Sequence, residues 1–398
     1  MKNIDLVILA GGLGSRIKQF LANKPKPMMI FNNIYFLQYL INIFSKHSIF
    51  RKIFILTGYK NKIIFNNFHN KMFNLTMIEC LKEKKPMGTG GALLALKKRK
   101  INDFVLTNGD TLFDIDLKKL LKKYKKGKLG CVALTSNKKN VNNFKLNKLS
   151  IKNNIISYKK GGKFMNGGIY FFKKKIINLI PKKKFSLEDE LLPKLINKRL
   201  LNAEAFNDFF IDIGTPKYLK SSKKRIKDYF YRPAIFLDRD GVINYDYGYV
   251  YKKKDFKFKK GVIKGLQYLV KKNYYIFLIT NQAGIAKGIF KEKDFLNFQS
   301  FINKKLSKHN ISVDDVQYCP YHPEGKILKY KKRTSLRKPG NQMIKNIFKK
   351  YLIDKKKSFM IGDQISDKIC AKNSNLKFYF AEENFENLIK KIFKINNY

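Results

Sequence analysis

Asp238-Arg239-Asp240-Gly241 follows directly on the apolar run Ala234 to Leu237. A strand that delivers Asp-x-Asp-Gly sets two carboxylates two residues apart at its end, one able to act as nucleophile and one able to reach a leaving group. Three later segments carry the complementary chemistry. Thr280, in Ile279-Thr280-Asn281-Gln282, offers a hydroxyl to phosphoryl oxygens, and Lys338, in Arg337-Lys338-Pro339, offers a fixed cation. Asp363, in Gly362-Asp363-Gln364-Ile365-Ser366-Asp367, supplies the acid that completes a Mg²⁺ site.

A second group lies near the start. The apolar run Leu6 to Ala10 leads into Gly11-Gly12-Leu13-Gly14-Ser15-Arg16. A chain that wraps polyphosphate needs residues without Cβ, so that backbone N–H groups point at the oxygens, and Arg16 adds a cation to the loop. Lys26 lies between Pro25 and Pro27, which hold it in extended backbone facing the same anion. The turn Gly88-Thr89-Gly90-Gly91 leads into a helical pattern, and its N–H groups could contact a base or a phosphate. Asp110, after the run Val105 to Asn108, and Asp212, in Phe210-Ile211-Asp212-Ile213-Gly214, are carboxylates set in apolar surroundings. Lone buried acids are costly unless they bind something, and two are what a Mg²⁺ bridging a triphosphate needs.

Together the early residues resemble the sugar-phosphate nucleotidyltransferases, most closely the D-glycero-D-manno-heptose 1-phosphate guanylyltransferases. The resemblance runs from Met1 to about Ser221 and adds Asn166-Gly167-Gly168-Ile169-Tyr170 and Phe185-Ser186-Leu187-Glu188. It implies that a sugar phosphate attacks the nucleotide α-phosphorus, that pyrophosphate leaves, that Arg16 and Lys26 clamp the triphosphate, and that Asp110 and Asp212 hold Mg²⁺. Gly11, Gly12, Gly14 and Gly88 would line the nucleotide. Lys160 would match the lysine of a Glu-Lys pair whose glutamate is here Lys159, and an Arg-Tyr-Gly element expected before the sugar site reads Asn142-Asn143-Phe144.

The later residues, from about Arg232 to Asn396, resemble haloacid-dehalogenase-type phosphatases. The strings Tyr247-Gly248-Tyr249-Val250, Asn281 to Gly288 and Cys319-Pro320-Tyr321-His322-Pro323 look like those of the D-glycero-D-manno-heptose-1,7-bisphosphate 7-phosphatases. The resemblance implies that Asp238 forms an aspartyl phosphate, while Asp240 protonates the leaving alkoxide and then activates water. Thr280, Asn281, Arg337 and Lys338 would bind the substrate, and Asp238, Asp363 and the Asp240 carbonyl would hold Mg²⁺. Many such enzymes hold a structural zinc through four ligands at positions that read Cys319, Tyr321, Thr334 and Leu336 here, so no zinc is expected.

The elements that must position these residues read as α/β. Short apolar strands (Leu6 to Ala10, Ile53 to Thr57, Val105 to Asn108, Ala234 to Leu237, Ile276 to Ile279, Phe359 to Ile361) alternate with helical patterns (Phe36 to Lys46, Gly91 to Lys98, Val262 to Lys272, Phe295 to His309, Gln342 to Tyr351). The expected fold is two α/β domains, each a mostly parallel sheet flanked by helices. Residues 1–222 form the nucleotidyltransferase domain, 223–232 a charged linker and 233–398 the phosphatase domain. The stretch Ser136 to Lys163 is polar and weakly periodic and receives no assignment.

Length and composition agree. With 398 residues and 44% hydrophobic content, the chain can bury more than one core. It carries 84 Lys and Arg against 29 Asp and Glu, a net charge of +55, but the lysine runs are spread along the whole sequence rather than gathered on one arm. No nucleic-acid partner is therefore expected. Four scattered cysteines make no disulfide framework, and no apolar run is long enough to span a bilayer. The expected location is the cytoplasm, without membrane partner, and the oligomeric state stays open. The expected partners are heptose phosphates and a nucleoside triphosphate, GTP favoured. The joint reading is a chain that removes the 7-phosphate of heptose 1,7-bisphosphate and then transfers a nucleotidyl group to heptose 1-phosphate. Two alternatives stay open: another sugar-1-phosphate nucleotidyltransferase fused to a histidinol-phosphate-type phosphatase, or a first domain that binds nucleotide sugars without catalysis.

Overall fold

The computed structural model describes residues 4–21, 23–136, 149–159, 162–214 and 216–396. Lys160 and the segment Asn142 to Phe144 lie outside the described residues. The chain forms two compact units, the first made of Met1–Phe44, Ile49–Met72 and Thr76–Ile226 and the second of Ser45–Ser48, Phe73–Leu75 and Lys227–Tyr398.

The first unit is built on a ten-stranded sheet. Its central strands lie side by side in the order Leu201–Phe206, Gly130–Thr135, Met165–Phe172, Phe104–Asn108, Ile4–Ala10, Phe50–Thr57, Thr76–Lys82. Of these only Met165–Phe172 runs antiparallel to its neighbours. Strands buried on both faces need continuous apolar runs, and Leu6, Val7, Ile8, Ile53, Phe54, Ile55 and Leu56 are each at most 1% exposed. The first helix, Phe36–Ser45, is apolar nearly all round, which suits its burial. In the stretch without assignment, Leu149–Lys152 and Ile155–Tyr158 form an antiparallel pair that extends the sheet.

The second unit holds a five-stranded, all-parallel sheet in the order Asp315–Cys319, Tyr275–Asn281, Ala234–Leu237, Phe359–Gly362, Lys377–Phe380. Ala234–Leu237, the strand that ends in Asp238, is central and fully buried. The helix Val262–Lys271 buries Val262, Leu266 and Leu269 against Phe385, Ile389 and Ile392 of the helix Phe385–Asn396, a 3.6-residue stripe on both partners.

The charged, helix-like stretch Ser221 to Arg232 is helical as far as Phe230. One helix, Pro216–Phe230, runs without a break through residues 222 and 223. Ser222, Ile226 and Phe230 are buried at i, i+4 and i+8, so the charged residues that suggested a linker form the outer face of an amphipathic helix. All four cysteines are free and buried. Among the described residues, no helix is long and apolar enough to cross a membrane.

Candidate active sites

In the first unit the strand Ile4–Ala10 ends at Gly11, and Gly11, Gly12 and Gly14 turn the chain into a short 3₁₀ segment, Ser15–Phe20, that carries an exposed Arg16. Pro25 holds extended backbone, and Lys26 opens a 3₁₀ turn after it. The Lys26 ammonium lies 2.5 Å from Asp110 Oδ2.

Asp110 and Asp212, about a hundred residues apart in sequence, are brought together by a small antiparallel ribbon. Thr111–Phe113 pairs with Phe210–Asp212 so that Thr111 stands opposite Asp212, and the Ile213 N–H donates to the Asp110 carbonyl. Asp212 Oδ1 accepts from the Gly214 N–H. Burial, and then the charge of Asp110, push the Asp212 carboxyl up, while Lys26 and Arg16 oppose the shift. The structure thus brings Arg16, Lys26, Asp110 and Asp212 into one electrostatic neighbourhood. Two neighbouring carboxylates, one of them pushed up by burial and by the charge of the other, with lysine beside them, fit a hard divalent cation.

Two of the amides that the glycine-rich turn offers are engaged within the protein. Gly88–Gly91 forms a single helical turn in which the Gly90 and Gly91 N–H groups both donate to the Phe185 carbonyl over 3.0 Å. Gly88, at φ +79°, has no room for a side chain, because a Cβ there would lie 2.6 Å from the same carbonyl oxygen. Thr89 donates to Glu188, and the Leu187 N–H donates to Thr89 Oγ1. The two motifs Gly88 to Gly91 and Phe185 to Glu188 therefore form one braced corner, and the Gly90 and Gly91 amides are engaged within it.

Glu83 escaped the sequence reading. It follows the strand Thr76–Lys82, two strands from the glycine loop, and its Oε1 lies 3.0 Å from the point where a Cβ on Gly11 would sit. Burial pushes its carboxyl up, opposed by a hydrogen bond from the Met87 backbone. Its position at a strand's C-terminal end was the available signal, masked by the neighbouring Lys82, Lys84 and Lys85.

In the second unit Asp238, Thr280, Asn281, Lys338 and Asp363 line one cleft of about 400 Å³, together with Asp240 and Arg337. The buried Lys338 ammonium contacts Asp238 Oδ2 at 2.9 Å and Asp367 Oδ1 at 2.6 Å, and donates to the Ile279 carbonyl over 2.9 Å. Asn281 fixes the lysine backbone from both sides: its Nδ2 donates to the Lys338 carbonyl, and its Oδ1 accepts from the Lys338 N–H. Burial pushes the Asp238 carboxyl up to about 7 despite the lysine beside it. Burial also raises Asp363.

Asp238, Asp363 and Asp367 place carboxylate oxygens within 4.8 Å of one another. Gly241 makes this approach possible, since a Cβ there, at φ +75°, would lie 2.2 Å from Asp363 Oδ2. Three acids around one lysine leave an excess of negative charge in a half-buried cleft, and that donor set fits Mg²⁺. Thr280 is buried and its hydroxyl accepts from Gln282 Nε2. Arg337 has a buried Nη1 with no hydrogen-bond partner among the described residues.

The long loop after Cys319 is braced by side chains. Glu292 accepts from the Tyr318 hydroxyl at 2.8 Å and the Tyr330 hydroxyl at 2.9 Å. The Lys332 ammonium sits 4.0 Å from the centre of the Tyr321 ring. Cys319 Sγ points to the Tyr321 carbonyl.

Comparison with known proteins separates the two halves in the same way. The sequence profile of the Nucleotidyl transferase family matches residues 6–228, and that of the Haloacid dehalogenase-like hydrolase family matches residues 326–381. The chain is 44% identical over 135 residues to the D-glycero-beta-D-manno-heptose-1,7-bisphosphate 7-phosphatase of Photorhabdus laumondii subsp. laumondii, covering 34% of this chain and 72% of that protein. It is 38% identical over 162 residues to the enzyme of the same name from Rhodopseudomonas palustris, covering 40% of this chain and 90% of that one. Among solved structures, HddC from Yersinia pseudotuberculosis is 28% identical with a TM-score of 0.47, covering 56% of this chain and all of that one. The first half makes the chain a member of the nucleotidyl transferase family and the second a member of the D-glycero-beta-D-manno-heptose-1,7-bisphosphate 7-phosphatase family, so that the whole is a bifunctional transferase and phosphomonoesterase.

Proposed function

We propose that the second unit removes the 7-phosphate of D-glycero-D-manno-heptose 1,7-bisphosphate and that the first unit then couples the heptose 1-phosphate to a nucleotide, with GTP favoured and pyrophosphate released. One observation carries this reading. A nucleotidyl transferase is joined in one chain to a relative of phosphatases named for heptose 1,7-bisphosphate. The product of that hydrolysis, a sugar 1-phosphate, is the acceptor class of the partner reaction.

In the second unit Asp238 attacks the 7-phosphorus, and the bond between phosphorus and the C7 oxygen breaks. Asp240 gives its proton to the leaving C7 oxygen, producing an aspartyl phosphate on Asp238 and free heptose 1-phosphate. Asp240 then takes a proton from a water that attacks the aspartyl phosphate, which releases inorganic phosphate and restores both carboxyls. Lys338, Thr280 and the unpartnered Arg337 Nη1 offer donors to the phosphoryl oxygens, and Asn281 keeps Lys338 in place. Asp238, Asp363 and the Asp240 carbonyl would hold Mg²⁺, which when bound would neutralise charge on the transferring group.

In the first unit a sugar-phosphate oxygen attacks the α-phosphorus of the triphosphate, and the bond to the pyrophosphate breaks. Arg16 and Lys26 clamp the phosphates, with Gly11, Gly12 and Gly14 turning the backbone around them, and Asp110 and Asp212 hold Mg²⁺. Glu83 supports guanine as the base. Guanine is alone among the four common bases in showing two adjacent donors, N1–H and N2–H, on one edge, and a carboxylate accepts both.

The test uses the full chain with heptose 1,7-bisphosphate and each of the four nucleoside triphosphates, read by product mass. Heptose 1-phosphate should rise before sugar nucleotide, and GTP should give the highest yield. Efficient formation of a 7-phosphorylated sugar nucleotide by Asp238→Asn would overturn the order, and a better yield with UTP or ATP would overturn the base preference.

A further inference from the structure

Arg239, the residue between the two aspartates, is a charged group for which the mechanism above has no use. Its side chain is 1% exposed, and it is the largest fully buried side chain among the described residues. A buried guanidinium is costly unless it is paired, and although the Arg239 Nη1 finds no partner among the described residues, the other two nitrogens are engaged. Here it forks onto the neighbouring acid: Nε donates to Asp240 Oδ1 over 3.0 Å and Nη2 donates to Asp240 Oδ2 over 2.6 Å. Nη2 also donates to the Val250 carbonyl and, at 3.4 Å, to Gln282 Oε1. The Phe295 and Phe298 rings lie 5.5 and 5.2 Å from its central carbon, both on the helix Glu292–Ser307.

We infer that Arg239 is a positioning residue for the acid/base step, holding the plane of the Asp240 carboxyl fixed relative to Asp238. The inference rests on the aspartyl-phosphate reading above. Asp240 stands on a turn after the strand has ended, and its side chain has two free torsions, so nothing in the strand itself aims it. The two-pronged grip removes both torsions at once, and Asn244 Nδ2 at 3.0 Å and Gln282 Nε2 at 3.1 Å complete a cradle around the two oxygens. The fork is itself braced by two aromatic faces and a backbone carbonyl, so it acts as a rigid strut. Lysine, a single point charge on a flexible stem, could neutralise Asp240 but could not set its plane. Proton transfer to a leaving oxygen depends on that plane, because a misplaced acid loses most of its advantage.

A double-mutant cycle on the full chain tests this, with phosphate release from heptose 1,7-bisphosphate as the readout. Arg239→Met should lower kcat about 100-fold, within the range that general acid/base catalysis supplies, while KM changes less than about threefold. In an Asp240→Asn background the same change should cost less than about threefold, because the group it positions has lost its proton-transfer role. Arg239→Lys should recover only a small part of the loss. Equal losses in the two backgrounds, a change confined to KM, full rescue by lysine, or no loss at all would overturn the inference. Where Arg239→Met does not fold by near-ultraviolet circular dichroism, Arg239→Lys carries the same cycle. A wild-type chain that leaves the heptose ester untouched would refute the substrate reading alone, and the cycle then runs on phenyl phosphate.

Discussion

Lys338 contacts Asp238 at 2.9 Å with only 2% of its side chain exposed, and the same ammonium reaches the fully buried Asp367 at 2.6 Å. One buried cation thus pairs with two carboxylates, of which Asp238 also faces the cleft and Asp367 is fully buried. Burial pulls the Lys338 ammonium toward the neutral form, but Asp238 and Asp367 outweigh it and hold the lysine charged. On the proposed function, Lys338 therefore serves both the fold of the second unit and its phosphate chemistry.

Lys338→Met should be costly on both counts. It leaves two buried acids unpaired, so stability should fall by about 3–5 kcal/mol, the range for removing one partner of a buried pair. Phosphate release should fall by at least about 100-fold. Urea unfolding and a phosphate assay on the same preparation check both, and a stable, active variant would show that the pair carries neither role.

The two activities should separate. Asp238→Asn removes the nucleophile without changing the size of the side chain, so phosphate release should vanish. Nucleotidyl transfer to supplied heptose 1-phosphate should stay within about twofold, since Arg16, Lys26, Asp110 and Asp212 all belong to the other unit. Loss of both activities in a folded variant would contradict this.

Asp212→Asn should have the reverse effect. The amide retains an oxygen for the Gly214 N–H but loses the charge set beside Asp110. Transfer should drop about 100-fold or more, while phosphatase turnover is unchanged. Comparing the two rates at several Mg²⁺ concentrations separates weakened metal binding from a lost backbone contact.

Mg²⁺ binding by the second unit should tighten with pH. The Asp238 carboxyl, raised to about 7 by burial, must give up its proton before it serves as a ligand, so binding releases a proton below that value. Affinity should rise about tenfold per pH unit up to about pH 7 and then level off. Calorimetric titration of metal-free protein in buffers of different ionisation enthalpy measures the affinity and the proton together. An affinity independent of pH would place the proton elsewhere.

The loop after Cys319 should hold without zinc. Protein purified without chelator should contain far less than one zinc per chain by metal analysis. Glu292→Leu, which removes the acceptor for both the Tyr318 and Tyr330 hydroxyls, should cost about 2–4 kcal/mol. One tightly bound zinc per chain, or an unchanged urea midpoint for the variant, would refute this account of the loop.

The strand-end motifs were legible in the sequence because the signal is local. An apolar run followed by Asp, Thr or Gly states both the strand and the group it delivers, and the runs ending at Ala10, Asn108, Leu237, Ile279 and Ile361 all became strands of the two sheets. Other features depended on partners distant in sequence. The meeting of Asp110 with Asp212 needed the register of a ribbon closed over about a hundred residues. The amides of Gly90 and Gly91 were claimed by Phe185, a competition no local pattern announces. Glu83 was one charge in a basic run until the sheet order, with only the strand Phe50–Thr57 between, brought its side chain to Gly11. Arg239 read as the variable residue of Asp-x-Asp until burial between two rings and one carboxylate gave it a task. Residue order along the chain thus determined which groups each strand end presents, whereas burial and long-range register, which arise only when distant segments pack, decided which of those groups meet and which are already engaged.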